Sequence, residues 1–200
     1  MTELTEMIAG ERRDLGKLLG ELLVERWDEP TLCAGWRVRE VVAHVTGPFR
    51  AQQAWFDEDV ESPAEINRLA DEHARRDAAA LSAAELAAAL VDNADHPWQP
   101  PGGGLADALC HDVIHGLDIT VGLGLGRVVP VERLLVVLVE LTPERAAFFG
   151  TDLTGIRLTA TDLDWTVGDG EPVTGAAQDL LLYLCGRKLP PGHLQEPARR

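Results

Sequence analysis

The stretch GLADALCHDVIHGLDITVGLG, residues 104–124, sets His111, His115 and Asp118 into an otherwise apolar segment. Leu105, Leu109, Val113, Ile114, Leu117, Ile119 and Val121 surround it on nearly every side. That pattern predicts a helix over about 104–121 that is packed against neighbours on several faces. On such a helix, positions i, i+4 and i+7 share a face, so His111, His115 and Asp118 line up. Two imidazoles with a carboxylate nearby suit a cation, but they equally suit histidines bonded to local partners or facing water. Spacing alone leaves both readings open.

Upstream, Leu4, Met7, Ile8, Leu15, Leu18, Leu19, Leu22 and Leu23 recur at three and four, which predicts an amphipathic helix from Thr2 to about Trp27, ended by Asp28-Glu29-Pro30. After the loop PTLCAGW, Val38, Val41, Val42, Val45 and Phe49 form the stripe of a second helix to about Trp55, with Gly47-Pro48 as a kink point. Residues 57–81 are charged and irregular, with a short helix expected over Pro63–Arg76. Ser82-Ala83-Ala84-Glu85 is a capping box that opens a helix to about Asn93, and HPWQPPGGG (96–104) is a loop. Downstream, a helix is expected from Val131 to Phe149 with a break near Thr142-Pro143, then strand-like texture over 151–175, then a helix over about 176–187. The fold class is therefore mainly α: an antiparallel bundle of about four long helices (1–150) followed by a small αβ appendage (151–200).

A net charge of −15 argues against nucleic acid and against anionic membranes as partners. The apolar runs LLVVLV (134–139) and LLLYLC (180–185) are far shorter than the roughly 20 residues a bilayer crossing needs. The acidic start MTELTEMIAGERRD lacks the features of an export signal, so a cytoplasmic protein is expected. Cys33, Cys110 and Cys185 are odd in number and far apart, which suits small buried apolar residues better than disulfides or a thiolate zinc knuckle.

A catalytic metal needs a third ligand. His44, on the flank of the second helix's apolar stripe, is the candidate, with a core histidine bonded to one partner as the alternative. His73, His96 and His193 have no ligand role in this reading, although His96 is placed to stand at a rim. Asp112 is one residue from His111 but on another face, where solvent or a neighbouring helix is expected. Trp36, and less readily Trp55, is placed to line a pocket, with a core tryptophan as the alternative.

Taken together, TLCAGWRVREVVAHV (31–45), HGLDITVGLG (115–124) and VTGAAQDLLLYLCGR (173–187) resemble the mycothiol-dependent maleylpyruvate isomerase family within the DinB-like metalloenzyme fold. The resemblance implies an up-and-down four-helix bundle holding a divalent metal, usually zinc. By position the ligands are His44, His111 and His115. It also implies a catalytic arginine at Arg187, for which a cation at a helix C-terminus is the alternative. The isomerases commonly carry glutamate where this chain has His111, so its set is like that of the broader DinB-like group. The appendage is also short for the family's second domain.

Three neutral imidazoles leave Zn²⁺ an open fourth position, as in catalytic sites. A thiol bound there loses its proton easily. The expected function is a metal-dependent enzyme that presents a low-molecular-weight thiol, mycothiol by resemblance, to a small electrophile for isomerisation or thiol transfer. Asp118 would orient a ligand imidazole or hold the helix from behind, with the capping of local polar groups as the alternative. The alternatives are a zinc-hydroxide hydrolase, and a non-catalytic bundle that binds a small molecule or metal. A monomer or homodimer suits either.

Overall fold

The computed structural model describes residues 3–50 and 62–196. Among them, eight α-helices precede and flank a small sheet: α1 (Glu3–Gly20), α2 (Val38–Arg50), α3 (Pro63–Ala80), α4 (Ala83–Asp92), α5 (Leu105–Gly122), α6 (Val131–Glu140), α7 (Pro143–Phe148) and α8 (Ala177–Leu184). Four strands, β1 (Ile156–Ala160), β2 (Thr166–Gly168), β3 (Glu171–Gly175) and β4 (Leu194–Gln195), complete the order. The mainly α architecture with a C-terminal αβ region matches the sequence expectation.

Several boundaries differ for identifiable reasons. The first helix stops at Gly20, and a 3-10 turn over Val24–Asp28 turns Trp27 into the core. The irregular 63–76 stretch is a full helix, capped by Ser62, whose hydroxyl accepts from the Glu65 N–H. The capping box at Ser82 and Glu85 is present in both directions. The expected break at Thr142-Pro143 divides α6 from α7, with Thr142 capping the second piece. Strand β4 carried no sequence signal. The second helix's continuation to Trp55, and Trp55 itself, lie outside the described residues.

α5 occupies the middle of the molecule, which explains its apolar circumference. On one side Ile119 and Leu123 join Leu15, Leu19, Trp27, Val41, Val45, Leu86 and Leu90 from α1, α2, α4 and the 3-10 turn. On the other, Leu109, Val113 and Leu117 join Leu134, Leu138, Leu158 and Leu181 from α6, the sheet and α8. Any polar side chain on α5 is therefore carried into the interior, and needs a partner there.

The sheet order is β2-β1-β3-β4, with β1 and β3 parallel and the outer pairs antiparallel. Because β2 and β3 flank β1 on opposite sides, Asp169-Gly170 must cross the start of β1. At Gly170, φ is +131° and a Cβ would stand 2.3 Å from the Gly155 carbonyl oxygen, so only glycine fits. Leu158, Ala160 and Val173 turn inward, where β1 and β3 pack on α8.

The start of α5 is held by Asp107, which accepts from the Gly104 N–H at 2.8 Å and from Arg145 of α7. Burial alone would raise the pKa of this carboxyl, but the two hydrogen bonds outweigh it and hold the pKa below its ordinary value. A depressed folded-state pKa contributes stability that is fully present above the unfolded value of about 3.9 and is lost as pH falls through the folded value. Asp107→Asn is therefore expected to cost about 1 kcal/mol near neutral pH. Well below an unfolded-state pKa of about 3.9 the variant's melting temperature should converge on that of wild type, which thermal melts across that range would measure.

Candidate metal centre

α2 and α5 pack together, and their contact brings three histidines to one point. Val38, Val41, Val42, Val45 and Phe49 bury the core face of α2, and His44 stands on its edge toward α5. The His44 Nε2 lies 3.1 Å from the His111 Nε2. The rings of His44 and His115 are 5.0 Å apart, and those of His111 and His115 are 4.9 Å apart. Among the described residues, the possible ligand atoms of His44, His111 and His115 all lie within 4.8 Å of one another.

A tetrahedral zinc with nitrogen ligands at about 2.0–2.1 Å places those nitrogens roughly 3.3 Å apart. The trio therefore fits such an ion with small adjustments. Burial and the two neighbouring imidazoles push the His44 pKa well below its ordinary value. Burial also lowers that of His115, against the opposing pull of Asp118. Both are neutral near physiological pH, the form that ligates.

Each of the two α5 histidines is held from behind. His115 Nδ1 faces the Asp118 carboxylate at 3.1 Å, and Arg187 grips the same carboxylate through Nε at 2.7 Å and Nη2 at 2.9 Å. His111 Nδ1 faces Asp112 at 3.0 Å, and Arg12 of α1 donates to the other Asp112 oxygen at 2.7 Å. In both cases the bond at Nδ1 leaves Nε2 for a cation. Asp112 does meet a neighbouring helix, as its position suggested, but it is fully buried and its second oxygen belongs to His111.

Aromatic rings wall the trio. Trp36 lies 4.9 Å from the His44 ring and donates its indole N–H to Asp71. Trp98, from the loop before α5, lies 4.9 Å from His111. It also lines a cavity of about 110 Å³ with Ile8, Ala94, Pro97 and Leu105. His96 is at this margin, with its ring 5.5 Å from Phe49 and its Nδ1 accepting from the Trp98 N–H. His193 is elsewhere, with its Nδ1 3.1 Å from an Asp179 carboxylate oxygen.

The loop before α2 docks directly on α5. Leu32 N–H donates to the Asp118 carbonyl, and a Cβ on Gly122 would come 3.1 Å from Leu32 N and Thr31 Cα, so the glycine permits the approach. This seats Cys33 beside His115 and Asp118 as a second group able to hold a cation. Burial, with the Asp118 charge, pushes its thiol pKa up to about 11. Cys110 and Cys185 are buried in the core as expected.

Arg12, Trp98, the placement of Cys33 and the bond from Asp112 to His111 were not read from the sequence. A signal for Arg12 was present: Ile8, Arg12, Leu15 and Leu19 follow one helical stripe, and all four are buried. For Asp112 the signal was the apolar circumference of α5, which leaves a polar residue no solvent face. Trp98 and Cys33 sit in loops, where periodicity says nothing about direction.

Residues 8–119, more than half of the chain, match the family described as mycothiol maleylpyruvate isomerase N-terminal domain. No curated protein sequence matches the chain. Two solved structures share the fold: the mycothiol-dependent maleylpyruvate isomerase and a mutant of it with one histidine replaced by alanine. Each is 18% identical with a TM-score of 0.52, over 94% of this chain and 93% of theirs. The matched residues include most of α1, all of α2 and the three histidines. By that match the chain belongs to the mycothiol maleylpyruvate isomerase N-terminal domain family, which is named for enzymes that use a thiol.

Proposed function

We propose that this protein is a divalent-metal enzyme, with zinc as the metal, that uses a low-molecular-weight thiol on a small electrophilic substrate. Mycothiol is the thiol by family membership, and the reaction is isomerisation by thiol addition and elimination, or transfer of the thiol. The single observation that carries this reading is the convergence of His44, His111 and His115, with His44 and His111 presenting Nε2 atoms 3.1 Å apart. A cation bound there supplies the charge that keeps the sulfur of an incoming thiol in its nucleophilic, deprotonated form.

The chain's own residues bind, orient and shield. The ligand set would draw His44 from α2 and two histidines from α5. Asp118 holds His115 at Nδ1, and Arg187 holds Asp118. In this reading Arg187 serves the reaction by fixing a ligand from behind. Trp36 and Trp98 wall the approach to the trio, each with its ring 4.9 Å from a histidine ring. Residues 1–150 form the bundle that carries the site, and residues 151–200 form the appendage that supplies Arg187.

Titration of the cobalt-substituted protein with mycothiol, and with N-acetylcysteine as a simpler thiol, tests the reading. A new sulfur-to-cobalt charge-transfer band that saturates with thiol is expected. Cobalt bound without any spectral response to either thiol would overturn the thiol chemistry and favour a hydrolase or a binding protein.

A further inference from the structure

We propose that Asp112, anchored by the buried Arg12, sets the tautomer of His111 and so keeps its Nε2 lone pair turned toward His44 and the cation. The inference rests on the reading of the trio as a metal site, but its key observable exists without metal. Arg12 and Asp112 are positioning residues here, since neither reaches the trio's shared point itself.

The Asp112 side chain is 1% exposed, with one oxygen 3.0 Å from His111 Nδ1 and the other 2.7 Å from Arg12 Nε. A carboxylate only accepts, so the hydrogen shared with His111 lies on Nδ1. Arg12 only donates, and it cannot swing away. Its Nη1 donates to the carbonyls of Ala94 and His96, and its guanidinium carbon lies 4.2 Å over the Phe49 ring.

Arg12 is also an expensive residue to keep. It is fully buried, and its Nη2 has no hydrogen-bond partner among the described residues. A buried ion pair of this kind is often no better for stability than apolar side chains of the same volume. Its geometry instead suits a positioning role, because one fixed donor on one carboxylate oxygen leaves the other oxygen available to a single imidazole N–H. The arrangement on His115, with Asp118 and Arg187, repeats the same logic from the opposite end of the chain.

The proposal predicts an inverted order among variants. In Asp112→Asn the amide stands between two donors with one acceptor oxygen. Arg12 cannot accept, so the oxygen turns to Arg12 and the NH₂ turns to His111. Nδ1 must then accept, and the imidazole proton moves to Nε2, where it blocks the cation. Asp112→Ala makes no such demand. If Asp112 merely fills space, asparagine as the closer isostere should be the milder change. If it sets the tautomer, asparagine should be the worse one, as in the serine-protease triad when its aspartate becomes asparagine.

The experiment uses the full chain. Zinc affinity, measured by competition with a chromophoric chelator, should fall on the order of 10–100-fold in Asp112→Ala, the usual loss for a group behind a ligand. It should fall further in Asp112→Asn. Adding Arg12→Met to Asp112→Asn frees the amide oxygen for His111, so affinity should recover to the level of Asp112→Ala or above. In metal-free, ¹⁵N-labelled protein, long-range imidazole correlations should place the His111 proton on Nδ1 in wild type and on Nε2 in Asp112→Asn.

The proposal is overturned if Asp112→Asn binds zinc as well as or better than Asp112→Ala, or if wild-type His111 is protonated at Nε2. Should the double variant fail to fold, the two single variants and the imidazole spectra still decide. If wild type binds no zinc but the tautomers change as stated, the metal reading fails and the role of Asp112 stands.

Discussion

If His44, His111 and His115 hold a divalent metal, protein in which His111 and His115 are both replaced by alanine is expected to emerge from purification without the near-stoichiometric metal expected of wild type. The expectation follows from the ligand count. The two substitutions leave His44 alone, and one imidazole does not hold zinc against buffer and water. Loss of a group that merely orients a ligand costs about 10–100-fold in affinity, so loss of two ligands costs on the order of 10³-fold or more.

The fold should survive the change. Asp112 keeps Arg12 and Asp118 keeps Arg187, so neither buried carboxylate is left without its cation. Both histidine side chains are also partly exposed, at 16% and 14%. Metal analysis of untagged protein, with circular dichroism as the check on folding, makes the measurement. Retention of stoichiometric metal by the folded double variant would refute the three-histidine site.

The largest stability effect is expected at Arg187. Asp118 is completely buried, and its carboxylate is satisfied by two side chains, Arg187 at 2.7 and 2.9 Å and His115 at 3.1 Å. Burial alone would raise the Asp118 pKa, but these hydrogen bonds prevail and hold it below the ordinary carboxylate value.

Arg187→Ala leaves that charge in the interior with only His115. Breaking a buried pair from one side costs about 3–5 kcal/mol, a large part of the roughly 5–15 kcal/mol that holds a typical domain. At about 2–4 °C per kcal/mol for a chain of this size, the melting temperature should drop by on the order of 10 °C. Arg187→Lys should fall between, because lysine keeps the charge but cannot reproduce the two-point grip. Calorimetry on metal-free protein isolates this effect from ligand binding. A drop of less than about 2 °C, under 1 kcal/mol on the same scale, would mean that the pair does not hold the C-terminal region to α5.

Much of the fold was legible because burial leaves a period. The stripe on α2, the capping box at Ser82 and the break at Thr142-Pro143 each have a local cause, and each appears where the sequence places it. α5 was recognisable by its lack of a polar face, and its length came out nearly right. The first helix was over-extended because Leu22 and Leu23 continue its spacing beyond Gly20, while the chain needs a 3-10 turn there to bury Trp27. The helix expected over Pro63–Arg76 runs on to Ala80, and its end was not legible because most of its surface faces water, which imposes no period on apolar residues.

The site was legible in proportion to how much of it lay on one element. His111, His115 and Asp118 share a helix face, so their alignment follows from about 3.6 residues per turn. That alignment, the bundle class and the acidic surface are determined by the sequence itself. The meeting of His44 with His111 at Nε2 was decided by tertiary structure, as were the reach of Arg12 from α1 to Asp112 and of Arg187 across 69 positions to Asp118. The physical reason is common to all three. Helical periodicity states which way a side chain leaves its own axis, whereas the angle and depth at which two axes cross depend on the packing of every side chain between them.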